Sequence, residues 1–316
     1  MRQRPLEVPP EHFFPTDEWR IVESRYSERY AERTETAFSL SNGYLGIRGT
    51  FDEGRPAHTP GTFVNGFHET WPIVHTEDAY GLARFGQTIA NLPDATILRL
   101  YVDDEPLYLP TARLRRYARV LDMRAGTLVR ELDWSTAAGK HVTVRTCRLV
   151  SLEHRHVAAI TFEVVVHDRA APVVISSEIV NRQDAGFGDD AAPRASVADP
   201  RRATRLDGRV LEPAVAEADG HRLLPGYYTA RSRMTLGIGV DHVVETETPY
   251  EIRQSVHGDR GAVIVSADAQ PGVPIRVTKL ISYQTSRAVP PRELVERCGR
   301  TLDRVRRDGF AALAAR

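Results

Sequence analysis

Between Phe38 and Tyr283 apolar and polar residues alternate in short runs broken by turn residues, and almost nothing recurs at helical spacing. Such alternation puts successive side chains on opposite faces of a strand, so each run predicts a strand with one buried face. Phe38–Ser41 and Tyr44–Ile47 flank Asn42-Gly43, a dipeptide that tolerates positive φ and predicts a two-residue hairpin turn there. Leu98 to Tyr108 predicts another hairpin about the acidic turn Asp103-Asp104-Glu105-Pro106. A third turns at Ala138-Gly139-Lys140, between Leu132–Trp134 and His141–Arg145. His156 to Val166 and Val173 to Ile179 are β-branched and apolar. Ile252–Val256 and Ala262–Ala267 flank His257–Gly261 as one more hairpin. Strands at this spacing without intervening helices predict an all-β fold, a large antiparallel sandwich. Asp184 to Pro200 is polar with glycine and proline, and predicts a loop.

The pattern changes near Pro290. Pro290-Pro291-Arg292-Glu293 is a helix start, with proline in the first turn and an acidic residue near the positive end of the dipole. Leu294, Cys298, Leu302 and Val305 then form an amphipathic stripe. The division expected is a sandwich over residues 1–288 and the start of a helical linker over 289–316, ending in mid-unit. An isolated helix of this length is marginal in water. Docking on the sandwich is therefore expected for Pro291 to Val305 and fraying from Arg306 to Arg316; homodimeric pairing of the stripe with a second copy is the alternative.

Composition narrows the class. The chain has 316 residues, 41% hydrophobic and 27% charged, which supports a packed core rather than disorder. Its formal net charge is zero, which argues against nucleic acid as a partner. Cys147 and Cys298 lie far apart and make no disulfide framework. No apolar run reaches signal-peptide or membrane-span length, and no Asn-x-Ser/Thr sequon occurs. A cytoplasmic protein without membrane partner is the expectation.

Common catalytic motifs are absent: no phosphate-cradling glycine loop, His-Glu-x-x-His, Cys-x-x-Cys or Gly-x-Ser-x-Gly. His154 and His156 could share one strand face, but nothing nearby supplies further ligands, so a solvated pair and no metal site is expected. Arg113, Arg115, Arg116, Arg119 and Arg124 form a basic run that reads as a solvated sheet face. The richest segment is Thr62 to Asp94, with Phe63, Phe67, Trp71, Tyr80 and Phe85 among Asn65, His68, Glu69 and Asp78. Aromatic planes stack on sugar rings while carboxylates and amides bind hydroxyls, so Phe67, His68, Glu69, Trp71, Asp78 and Tyr80 are the candidate substrate-binding residues. The plain alternative is a covering loop whose aromatics pack on the sandwich.

Thr34–Gly49, with its core Phe38-Ser39-Leu40-Ser41-Asn42-Gly43-Tyr44-Leu45-Gly46, resembles the amino-terminal motif of glycoside hydrolase family 65. The likeness continues through Phe63–Phe67, Asn91–Asp94, Leu121–Arg130, Arg148–Leu152 and Asn181–Gln183. That family includes maltose, trehalose, kojibiose and nigerose phosphorylases and some trehalose hydrolases. The resemblance implies a galactose-mutarotase-like super-β-sandwich, then a helical linker, an alpha/alpha barrel and a small sheet. It implies inverting cleavage of an α-linked glucose disaccharide, with a barrel glutamic acid as general acid and phosphate or water as attacking group. No catalytic residue is carried over to this chain, since the family's chemistry sits in the barrel. The domain would support the barrel and shape access to its active site, with no cofactor and inorganic phosphate as co-substrate of a phosphorylase. A free-standing carbohydrate-binding module is the rival reading. Mutarotation with His68 and Glu69 as acid and base is a third, resting on fold analogy.

Overall fold

The structure is a computed structural model that describes residues 10–73, 75, 77, 79–181 and 209–315. The expected loop Asp184 to Pro200 and the candidate Asp78 lie outside the described residues. Two antiparallel sheets carry the fold. The larger has nine strands in the order Arg20–Glu23, Arg113–Asp122, Thr127–Ser135, His141–Val150, Val157–Val166, Ile275–Ser286, Thr235–Glu245, Arg222–Thr229 and Leu211–Asp219. The smaller runs Tyr250–His257, Arg260–Ala269, Ala171–Val180, Leu98–Val102 and Glu105–Pro106. Between them lies one apolar core that includes Trp134, Phe162, Ile238, Val265 and Ile281. The all-β antiparallel sandwich expected from the sequence is the observed fold.

Alternation accounts for the outer strands of the large sheet. In Thr127–Ser135, Leu128, Arg130, Leu132 and Trp134 are buried while Val129, Glu131, Asp133 and Ser135 are half-exposed. The two central strands follow another rule. Most residues of Thr235–Glu245 and Ile275–Ser286 are buried, because these strands are covered on both faces. One face meets the small sheet. The other meets the carboxy-terminal helix Pro291–Ala315, whose Leu302, Val305 and Leu313 pack with Leu149, Val157, Ala159 and Leu280.

Glycine makes that docking close. A Cβ at Gly237 would lie 2.6 Å from the carbonyl carbon of Leu294, and one at Gly239 2.7 Å from Leu302 Cδ1. The stripe Leu294, Cys298, Leu302 and Val305 is buried as expected. Its packing reaches further than the expected boundary. Arg306 donates to Asp241 Oδ1 at 2.8 Å, and Leu313 is buried beyond a non-helical residue at Gly309. Fraying from Arg306 is thus not what the structure shows; an ion pair and a second apolar contact hold the last turns.

Three further details differ from the sequence reading. The first hairpin pairs Ser41 with Gly46, and Asn42 N–H donates to Leu45 O, so the turn is centred on Gly43-Tyr44 rather than Asn42-Gly43. Asn42 keeps the turn in another way: its Oδ1 accepts from Tyr44 and Leu45, and its Nδ2 donates to Ser151 O and Arg155 O. Arg119 is not solvated with the rest of the basic run, because by alternation it points into the sandwich and is 2% exposed. His154 and His156 are half-buried rather than solvated, with His154 facing Asp308 and His156 Nδ1 at 3.1 Å from Tyr283 O.

Candidate substrate-facing hairpin

The candidate residues fall on a small separate hairpin, His68–Pro72 paired with Phe85–Ile89. Its base is built by the sequence before it. Asn65-Gly66, with Gly66 at φ 80°, turns the chain so that Phe67 drops into the core with no exposed surface. Phe67 N donates to Val64 O, and Asn91 Oδ1 accepts from Thr62 N, so both ends of the excursion are tied to the strand Thr62–Val64.

Glu69 is the anchor. It is 2% exposed, and its carboxylate accepts from the backbone N–H of Thr70 at 2.8 Å, Arg231 at 2.9 Å and Ser232 at 2.7 Å. Ser232 Oγ in turn donates to His68 O at 2.7 Å. Charge-assisted bonds of this kind are the strong ones, and here they clamp the hairpin to the turn before Met234. The lone pairs a sugar hydroxyl or a proton transfer would need are engaged by the backbone, which gives Glu69 a structural task.

Register then divides the aromatics. Residues opposite one another share a face, so Trp71 and Gly86 lie with Glu69 on the inward face. A Cβ at Gly86 would sit 2.3 Å from the Trp71 ring, so the indole lies directly across that glycine. The other face carries His68, Thr70, Phe85, Gln87 and Ile89. Phe85 is 71% exposed, Ile89 48%, and Tyr80 at the tip is fully exposed with Leu82 nearby at 42%. The six sequence candidates are therefore not one surface. Phe67 and Glu69 are internal, Trp71 is half-buried, His68 is half-buried on the outer face, and Tyr80 projects. Phe85 and Ile89 belong to the presented surface although neither was among those six; the signal was the alternation Phe85-x-Gln87-x-Ile89.

The densest charge cluster lies elsewhere. Arg119, Arg130 and Arg148 point inward from neighbouring strands of the large sheet beneath the segment Gly49–Glu53. Arg130 grips Glu53 with bonds of 2.8 and 2.6 Å and reaches Asp52 at 3.2 Å. Arg148 donates to Asp52 Oδ1 at 2.6 Å, and Thr146 Oγ1 to Asp52 Oδ2 at 2.9 Å. Burial disfavours the Asp52 anion, but the two guanidinium groups prevail and hold its pKa at about 2. Arg119 is stacked between Phe38 and Phe51, 4.7 and 4.8 Å from their ring centres, and donates to Gly49 O. This is a buried structural knot, closed to a sugar. Among the described residues no group of three or more His, Cys, Asp or Glu is arranged to hold a metal ion, and no helix is long and apolar enough to cross a membrane.

The described residues thus form a β-sandwich domain covered by a trailing helix, with a projecting hairpin. Comparison with known proteins places it more narrowly. The glycosyl hydrolase family 65 N-terminal domain matches residues 21–316, and the chain belongs to that family. It is 33% identical over 304 residues to an alpha,alpha-trehalose phosphorylase of Thermoanaerobacter brockii, covering 95% of this chain and 38% of that protein. It is 37% identical over 273 residues to a glycosyl hydrolase of Mycobacterium leprae, covering 86% and 33%. Among solved structures, one described as "Putative kojibiose phosphorylase from human microbiome" superposes with a TM-score of 0.80 over 97% of this chain and 38% of that one, at 17% identity, a likeness of fold. The chain thus spans about a third of the length of the curated relatives it matches.

Proposed function

We propose that this domain serves a longer, inverting phosphorylase of α-linked glucose disaccharides, of trehalose or kojibiose type, without itself carrying the catalytic groups. The observation that carries the reading is the match to a trehalose phosphorylase along 95% of the chain; shorter matches to kojibiose phosphorylases from Caldanaerobacter subterraneus and Thermoanaerobacter brockii support the same substrate class. Inorganic phosphate is the co-substrate and no cofactor is required. The domain's task is to support the catalytic barrel and to shape access to its active site through the hairpin. In support of that task, Tyr80, Phe85 and Ile89 are held out on a clamped base, at some cost in exposed apolar surface.

Because Phe85 and Tyr80 are exposed, removing them leaves the sandwich intact. In the full-length enzyme the double change Phe85→Ala/Tyr80→Ala should lower kcat/KM for the disaccharide about fivefold or more, at unchanged thermal stability, given roughly 0.5–1.5 kcal/mol per aromatic contact. Wild-type kcat/KM for trehalose, kojibiose, maltose and nigerose in the folded variant would leave the hairpin a mere cover. The domain alone should release neither glucose nor glucose 1-phosphate from these sugars. Tight binding of free disaccharide by the isolated domain would favour a carbohydrate-binding module instead.

A further inference from the structure

Three buried guanidinium groups each keep an N–H that no protein acceptor among the described residues reaches: Arg119 Nη1, Arg130 Nε and Arg148 Nε. All three residues are 2% exposed. They line one small enclosed space of about 10 Å³ together with Thr50, Asp52 and Thr146. The carboxylates lining or flanking this space are engaged, while Glu23 Oε1, near Arg119 but not lining the space, is itself without a partner among the described residues. Asp52 is bonded through both oxygens to Arg148, Arg130 and Thr146, and Glu53 gives both of its own to Arg130. A buried charged donor left unpaired carries its whole desolvation penalty, so three around one space call for an acceptor placed between them.

Size and charge restrict that acceptor. A space of this volume takes one water-sized atom; carboxylate, phosphate and sugar are too large, so this is not a site for the co-substrate. Three guanidinium groups exclude a cation. We propose that the space is a binding site for a single-atom electron-pair donor, a water molecule or a halide ion, held by the N–H groups of Arg119, Arg130 and Arg148. Its role is to complete the knot that fixes Gly49–Glu53 on the large sheet. The local charge favours an anion as pH falls. Glu23, which accepts from Tyr117 Oη at 2.8 Å beside Arg119, has its carboxyl pushed upward by burial and so gives up its negative charge before Asp52 does.

Crystals of the chain grown in sodium bromide, measured at high resolution at the bromine absorption edge, test this. An anomalous peak within hydrogen-bond distance of the three arginines identifies a halide. A well-ordered peak there without anomalous signal identifies water, and either outcome supports the site. In the halide case the unfolding midpoint should also rise saturably with chloride against sodium isethionate at equal ionic strength; with water the two salts should act alike. The proposal is overturned if the space is empty, or if the side chains close over it and the three N–H groups pair with protein oxygens.

Discussion

Gly237 is where the helix and the large sheet come closest, and adding one methyl group there should be costly. An ideal Cβ would meet Leu294 C at 2.6 Å and Val295 N at 2.7 Å. Carbon atoms in good contact sit at about 3.5–4.0 Å, so the helix would have to retreat by roughly 1 Å, and a gap of that size forfeits a quarter to a half of each contact's attraction. The obstacle is helix backbone, which no rotamer change can move aside. Overpacking typically costs about 1–3 kcal/mol, and Gly237→Ala should fall at the upper end, near 3 kcal/mol. It would also stretch the Cys298 Sγ contact to Gly237 O, now 3.4 Å. Gly299, on the helix itself, gives the opposite sign. A Cβ there meets nothing nearer than Arg222 Nη1 at 3.8 Å, an ordinary contact. Gly299→Ala should therefore gain about 1 kcal/mol from helix propensity. Urea unfolding at unchanged m-value reads both changes as shifts in midpoint. If Gly237→Ala unfolds at the wild-type midpoint, or Gly299→Ala lowers it, the helix does not dock as described.

Other consequences follow from the buried polar groups. Glu69→Gln keeps the side chain's shape but sets an amide NH2 against backbone N–H donors; it should speed hydrogen exchange at His68–Pro72 and at Arg231–Ser232 and lower stability by roughly 2–3 kcal/mol, and slow exchange at wild-type rates would show the clamp to be dispensable. His242 is buried between the sheets, with Nε2 2.7 Å from Ser177 Oγ, and burial followed by the charge of Lys279 lowers its pKa to about 3. The unfolded chain then binds the extra proton between pH 3 and about 6.5, so stability should rise with pH through that window. His242→Asn should flatten the rise in urea midpoint, and an equally steep profile in the variant would assign it to other groups. Lys279 acts alike at higher pH. Its Nζ donates to Ile97 O at 2.9 Å and Glu178 O at 3.0 Å, and burial lowers its pKa to about 7. Stability should therefore climb further from pH 7 towards 10, and Lys279→Met should remove that climb.

The sandwich was legible because most strands obey one rule. Those with one buried face alternate, and the turns at Asp103-Asp104, Gly139 and Gly258 fall where turn residues cluster. The strands between Leu211 and Glu245 were not individually legible. They carry Pro213, Pro225, Gly226, Gly237 and Gly239, which read locally as breakers. The reason is tertiary: Gly237 and Gly239 make room for a helix about sixty residues downstream, and Pro213 sits at a bulge in the edge strand. Arg119 misled for a related reason, since a basic run gives no sign that one member turns inward towards the backbone carbonyl of Gly49, seventy residues upstream. The family motif reads in the structure as backbone support: Glu35 accepts from His58 N and Thr59 N, Asn42 ties down the loop before Val157, and Gly49 abuts Phe38. In the hairpin, composition marked the segment, while the division of its faces required the register of Trp71 with Gly86.

The proposed service of this domain to an inverting phosphorylase of α-linked glucose disaccharides can be read from the anomer of the enzyme's product. Proton NMR of the full-length enzyme with trehalose or kojibiose and inorganic phosphate should show β-glucose 1-phosphate as the first product, since attack opposite an α-linked leaving group inverts that centre. No sugar phosphate should form when phosphate is withheld. Initial release of α-glucose 1-phosphate, or glucose released at the same rate with and without phosphate, would contradict the account.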